Sequence, residues 1–282
     1  MGELSELLKR HGFVLSKSLG QNFLTDMTVP RRIAAAASLG ADTHVLEIGP
    51  GVGALTRELS ARAGHVTAVE LDRRLLPLLD ETLADCANVT VTHGDILKLD
   101  LAELLQGDGY ANRVACANLP YNITTPALTK LFDSGLFSEI TVMIQREVAH
   151  RITAKPATSD YGAFSVYAQY HAVPEILFDV PPSSFLPPPK VTSSVVRMTL
   201  RSAERGTAHS GITDERFFFR IVRGAFGQRR KTLVNALAAA LAGSHTKAQI
   251  AAAVADCGFL PTVRGEELGI GQFADLANML LA

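Results

Sequence analysis

Asn118-Leu119-Pro120-Tyr121 follows a short apolar run, Val114–Ala117, and supplies what a planar amino-heterocycle would need from a receptor. The amide oxygen of Asn118 and a neighbouring backbone carbonyl can accept both hydrogens of an exocyclic amine, and Pro120 fixes the turn. Tyr121 offers a ring face for stacking. Such a receptor suits attack by an aromatic amine, a poor nucleophile because its lone pair is delocalised into the ring. Hydrogen bonds to carbonyls favour a pyramidal nitrogen and stabilise the positive charge that develops as a group is transferred to it. No strong base is needed, since the resulting cation is very acidic. The plainer alternative is a strand-end turn with an exposed tyrosine. Phe185, in the proline-rich stretch Pro181–Lys190, is a candidate for the opposite ring face. Its alternative is a loop phenylalanine folded into the core.

A second group of residues has the spacing of a cofactor site. Val45–Gly53 (VLEIGPGVG) reads as a strand entering a glycine-rich turn that opens a helix at Ala54. Gly49, Gly51 and Gly53 let backbone approach a ligand where a Cβ would intrude. Gly49-x-Gly51-x-x-Ala54 also satisfies the loose dinucleotide pattern, so glycine spacing alone does not choose between NAD and another adenosine cofactor. Glu47 favours S-adenosylmethionine: a carboxylate there would repel a pyrophosphate but suits a sulfonium and an amino group. Glu70, followed by Leu71, ends the second strand and can accept both ribose hydroxyls. Asp95 and Ile96 end the third, where an acid can accept an adenine amine while the next amide meets the ring. Either acid alone could be an exposed strand-end residue; the ordered set argues for the cofactor. No histidine-centred hydride-transfer site supports the NAD alternative.

The elements that must position these groups alternate along the chain. Strands are expected at His44–Ile48, Val66–Glu70, Val89–Thr92, Val114–Ala117 and Ile140–Ile144, with later ones near Ser165–Tyr170 and Ser193–Met198. Helical patterns between them predict an α/β fold with a Rossmann-like, mostly parallel sheet and an antiparallel edge. The proline-rich stretch must be a loop between late strands. Beyond about residue 204 the pattern is helical. The expected division is therefore a cofactor-binding catalytic domain over 1–203, whose first 40 residues contribute to the site, and a small all-helical domain over 204–282.

Composition sets bounds on partners. The 282 residues carry a net charge of −1, yet Lys190–Lys231 holds ten Lys/Arg against three acids. A basic segment on a mildly acidic chain points to a polyanion held at one place. From Asp214 to Lys231 the pattern is that of an amphipathic helix ending near Phe226, with Arg216, Arg220, Arg223, Arg230 and Lys231 in one stripe opposite a phenylalanine-rich face. Gly224 and Gly227 fall on the basic side, where a backbone or a phosphate could approach closely. Arg229 and Lys190 complete the candidate RNA contacts. A solvated basic face is the alternative. Cys86, Cys116 and Cys257 have neither metal nor disulfide spacing, so no metal is expected. No apolar run is long enough to span a membrane, and the N-terminus lacks the pattern of a signal peptide. A cytoplasmic monomer is expected.

These motifs together resemble the bacterial small-subunit ribosomal RNA adenine N6-dimethyltransferases. The resemblance rests on Lys17–Leu24 (KSLGQNFL), Glu47–Gly53, Glu70, Gly94-Asp95, Asn118–Tyr121, Tyr161-Gly162, Pro187–Val191 (PPPKV) and Phe226–Lys231 (FGQRRK), in order along the whole chain. It implies S-adenosylmethionine as methyl donor and two adjacent adenines near the 3′ end of small-subunit rRNA, each methylated twice during ribosome biogenesis. It also implies that Asn22 and the Leu24 backbone join the cofactor site. Ala163 departs from the larger, often basic residue that relatives carry after Tyr-Gly, which puts one RNA contact in doubt. Two rivals remain. The large-subunit adenine methyltransferases of macrolide resistance share the chemistry but commonly carry Ile at the place of Leu119. A non-catalytic RNA-binding assembly factor would not need Glu70, Asp95, Asn118 and Tyr121 together.

Overall fold

Strands form where short runs of β-branched and apolar residues are bounded by glycine or polar turns. In the computed structural model, which describes residues 3–13, 21–106, 109–201 and 211–282, they are β1 Phe23–Leu24, β2 Thr43–Ile48, β3 His65–Glu70, β4 Val89–His93, β5 Asn112–Asn118, β6 Glu139–Gln145, β7 Ala172–Val180, β8 Phe185–Leu186 and β9 Ser193–Leu200. Seven of them make one sheet in the order β4-β3-β2-β5-β6-β9-β7. The pairs β4/β3, β3/β2, β2/β5 and β5/β6 are parallel, whereas β6/β9 is antiparallel. Every residue of β2 is buried, as expected of a central parallel strand covered on both faces, while the edge strand β4 is only partly buried. The chain builds outward from β2 to β4 and then restarts beside β2 with β5. That reversal opens a crevice at the carboxyl ends of β2 and β5, the usual ligand position in such sheets.

The helices are α1 Glu3–Arg10, α2 Thr28–Ala36, α3 Ala54–Ser60, α4 Leu76–Thr82, α5 Leu101–Leu104, α6 Thr124–Ser134, α7 Arg146–Thr153, α8 Ala163–His171, α9 Glu215–Gly227, α10 Leu233–Ala240, α11 Lys247–Asp256 and α12 Ile270–Leu281. Their ends follow local chemistry. Asp214 accepts the Phe217 amide at 2.9 Å to start α9, and Thr246 and Gln249 make a reciprocal capping box at the start of α11. Among the described residues no helix is long and apolar enough to cross a membrane.

Contacts divide the chain into two compact units, Met1–Ala149 with Pro174–Leu200, and His150–Val173 with Arg201–Ala282. Two sequence expectations change here. Ser165–Tyr170 is not a strand but lies within α8, begun where the Gly162 amide donates to Ser165 Oγ at 3.0 Å. Its aromatic content looked strand-like, yet Tyr170 packs on Phe218 and Phe219, and Tyr167 on Phe219, so tertiary contacts override local preference. Residues 150–173, expected with the sheet, group instead with the later helices. Tyr161 and Val166 share the apolar cluster of Phe218, Leu237 and Phe273, and the Tyr161 hydroxyl donates to the Leu268 carbonyl at 2.9 Å. The expected boundary at 203/204 lies outside the described residues. Strand β7 was not foreseen; its exposed–buried pattern is irregular.

Candidate active site

The crevice is walled by the turn after β2, the ends of β3, β4 and β5, and the segment Gln21–Leu24. Gly49 and Gly51 sit in left-handed conformations, with φ of +68° and +61°. A Cβ on Gly51 would lie 3.1 Å from the Phe23 ring, so glycine is required on both counts. Gly53 serves another purpose: it caps α3 at φ +82° and does not line the crevice, its open side facing Leu83 and Thr82.

Two buried carboxylates face this turn. Glu70 Oε2 accepts the Gly51 amide at 3.3 Å, and its Oε1 accepts the Asp72 amide at 2.8 Å. Burial pushes the Glu70 carboxyl above its ordinary value despite these bonds. Glu47 is 1% exposed, and its Oε2 has no hydrogen-bond partner. Burial, with the charge of Glu70 adding to it, raises the Glu47 carboxyl to about 8. A buried carboxyl held protonated for want of a counter-charge gains most from a cation placed beside it, to which it can yield its proton, so the pair suits a cationic ligand better than a pyrophosphate. S-adenosylmethionine therefore fits. Asp95 turns Oδ1 toward its own loop, accepting the Leu97 amide at 3.0 Å, while Ile96 is buried and Leu71 stands half exposed at the mouth.

The Asn118–Tyr121 turn forms the other side. Asn118 lines the crevice, and its Nδ2 donates to the Asn22 carbonyl at 3.4 Å, which leaves Oδ1 as the amide's acceptor. The Pro120 carbonyl is taken by the Ile123 amide and the Thr124 hydroxyl, leaving that of Leu119 as the neighbouring acceptor. The Leu119 side chain is buried, and its amide extends the ladder to Met143 at 3.1 Å. Tyr121 is anchored by its hydroxyl, 2.7 Å from Ser193 Oγ. Burial pushes the phenol up, so it remains neutral near pH 7 and is no base. Ser193 escaped sequence reasoning, because nothing local links it to a residue 72 positions away. Phe185 does not line this crevice. It is 4% exposed, paired with Leu24 across the β1/β8 ladder and packed with Val29 and Ile33, so the core reading holds in this structure.

A family model described as ribosomal RNA adenine dimethylase matches residues 12–280. The chain belongs to that family. Among curated relatives of this dimethylase, the ribosomal RNA small subunit methyltransferase A of Shouchella clausii is 46% identical over 97% of this chain and 92% of its own. The Streptococcus pneumoniae protein of the same name is 45% identical over 97% and 94%. Among solved structures, the 23S rRNA methyltransferase ErmE superposes with a TM-score of 0.67 at 26% identity, covering 93% of this chain and all of that one. A dimethyladenosine transferase from Plasmodium falciparum shares the fold, with a TM-score of 0.77 at 24% identity over 90% and 95%. The methyl donor of this dimethylase is S-adenosylmethionine.

The basic residues of the dimethylase are not all on one stripe. Arg216, Arg220 and Arg223 are exposed on α9, but α9 ends at Gly227, so Arg230 and Lys231 lie on the turn beyond it. Arg229 is engaged within the fold, pairing with Glu266 at 3.1 Å and donating to the Ser159 and Tyr161 carbonyls. Arg220 reaches the Ala240 carbonyl at 3.4 Å, at the end of α10. Lys190 is exposed, in the sheet-bearing unit. At Gly224 the close approach comes from the chain itself and not from a phosphate, since a Cβ there would lie 2.6 Å from the Ala240 Cβ. The small size of this glycine serves the α9–α10 crossing. Of the KSLGQNFL motif, residues 17–20 lie outside the described residues.

Proposed function

We propose that the chain transfers methyl groups to the exocyclic N6 of adenine in small-subunit rRNA, twice on each of two adjacent adenines near the 3′ end. One observation carries the reading: the Asn118–Tyr121 receptor and the Glu47/Glu70 cradle open into one crevice. When bound, S-adenosylmethionine supplies an electrophilic methyl. Glu47 would face its positive charge, Glu70 its ribose, and Asp95 with Ile96 its adenine, while Asn22 and Leu24 close the near wall. Asn118 Oδ1 and the Leu119 carbonyl accept the N6 hydrogens of the target base. Those bonds hold the nitrogen pyramidal and strengthen as it becomes positive, which lowers the barrier rather than merely binding substrate. The released proton passes to water. Tyr121 stacks on the base, which must leave its own stack to enter.

In this reading the sheet-bearing unit carries catalysis, and the exposed arginines of the helical unit grip phosphates, as a monomer on a cytoplasmic pre-ribosomal particle. ErmE keeps a large-subunit target as the second reading, but the higher identity to the small-subunit relatives favours the first. Mapping N6-dimethyladenosine in rRNA from cells with and without the gene tests it. Loss of the modification from small-subunit rRNA alone is expected; loss confined to large-subunit rRNA would sink it.

A further inference from the structure

We propose that Leu260 is an apolar finger that packs against an unstacked nucleobase of small-subunit rRNA, an inference that rests on the function proposed above. Leu260 is 72% exposed, more than any other large apolar side chain among the described residues. A lone exposed leucine is ordinary. This one is held out by a rigid mount. Helix α11 is closed behind it by Gly258, at φ +77°, and by the Phe259 amide donating to the Val254 carbonyl at 3.1 Å. The Val263 amide then donates to the Leu260 carbonyl at 3.0 Å, making a four-residue turn with Pro261 at its second position. Phe259 and Val263, on either side, pack into the helical core, while Leu260, Pro261 and Thr262 are exposed. Little conformational freedom remains to be lost when the tip is buried by a partner.

The surroundings indicate what that partner is. The Leu233 amide donates to the Val263 carbonyl at 2.7 Å, tying the turn to the chain just after Arg230 and Lys231. Both are exposed, as is Arg264. Nearby acids are partly committed: Glu266 is paired with Arg229, and Glu267 accepts the Arg264 amide at 2.8 Å. Lys and Arg complement phosphates, whereas an aliphatic tip on a turn tied to the segment that follows them complements the one apolar surface of RNA, the face of a base. Bases present that face at loops, bulges and helix ends, not within an A-form groove.

The test compares wild type, Leu260→Ser, Leu260→Met and Lys231→Ala in binding to unmethylated small ribosomal subunits and to deproteinised small-subunit rRNA over a range of salt. Leu260→Ser should bind about tenfold more weakly or worse on both substrates. The slope of log affinity against log salt should be unchanged, because no counterion is released at a leucine. Leu260→Met should stay near wild type, and Lys231→Ala should flatten the slope. Unaltered affinity of Leu260→Ser, or a lowered melting temperature, would overturn the finger. So would a loss seen on intact subunits but not on bare rRNA, which would make the contact a ribosomal protein. Wild type that fails to methylate adenine in small subunits would sink the proposed function itself, whereas active wild type with an indistinguishable Leu260→Ser sinks only this inference.

Discussion

At the scale of residues, the receptor is built from side chains each held at one end and free at the other. Asn118 is tied through Nδ2, so in the proposed mechanism Asn118→Ala removes Oδ1, the acceptor used most in the transition state. The single-turnover methylation rate should fall on the order of 100-fold or more, with RNA affinity nearly intact. Near-normal turnover would assign amine activation to another group. Ser193→Ala and Tyr121→Phe break one bond from opposite sides. Each should slow transfer by roughly fivefold, the worth of about 1 kcal/mol, and the double variant should be no slower than either. Independent, multiplying losses would mean that Ser193 does not act through Tyr121. Glu47 makes a pH prediction. Its carboxyl titrates near 4.5 when unfolded and at about 8 when folded, so its contribution to stability is complete below pH 4.5 and is lost as pH rises toward 8. Denaturant titrations of ligand-free Glu47→Gln should show a flatter pH dependence across that interval. A slope identical to wild type would mean that Glu47 is already ionised in the fold.

Elements show where spacing succeeds and where it misleads. The amphipathic reading of α9 locates the helix through its phenylalanine face, and the helix-weakening Gly224 and Gly227 locate its end. It cannot reveal that α10 crosses at Gly224. Alanine in a helix ordinarily gains about 1 kcal/mol over glycine. Here the new Cβ would meet that of Ala240 at 2.6 Å, and overpacking costs about 1–3 kcal/mol, so Gly224→Ala should lower the melting temperature. Gly227→Ala, which meets nothing within 4 Å, is the control. Equal melting of both variants would show that α9 and α10 separate without cost. The strand-like reading of Ser165–Tyr170 failed for the same reason: its aromatics answer to Phe218 and Phe219, more than forty residues away in sequence.

For the whole molecule, the proposed function assigns one task to each of the two compact units. Every residue lining the crevice lies between Gln21 and Ile123, within the sheet-bearing unit, whereas the arginines of α9 belong to the helical one. Arg223→Ala should therefore weaken RNA binding and reduce the salt slope by about one, while S-adenosylmethionine affinity measured by calorimetry stays constant. Arg223 is a cleaner probe than Arg220, whose guanidinium also reaches the end of α10. An unchanged salt slope would mark the α9 stripe as solvated surface.

The sequence by itself determined the parallel sheet, the order of acids and glycines along it, and the turn Asn118–Tyr121 at the end of a strand, because these depend on residue type at strand ends a fixed register apart. Tertiary structure alone decided which glycines line the crevice and which face a neighbour, and placed Phe185 in the core. It also drew 150–173 into the helical unit and brought Ser193 to Tyr121. Those outcomes rest on contacts between residues distant in sequence, where packing, not local preference, sets the geometry.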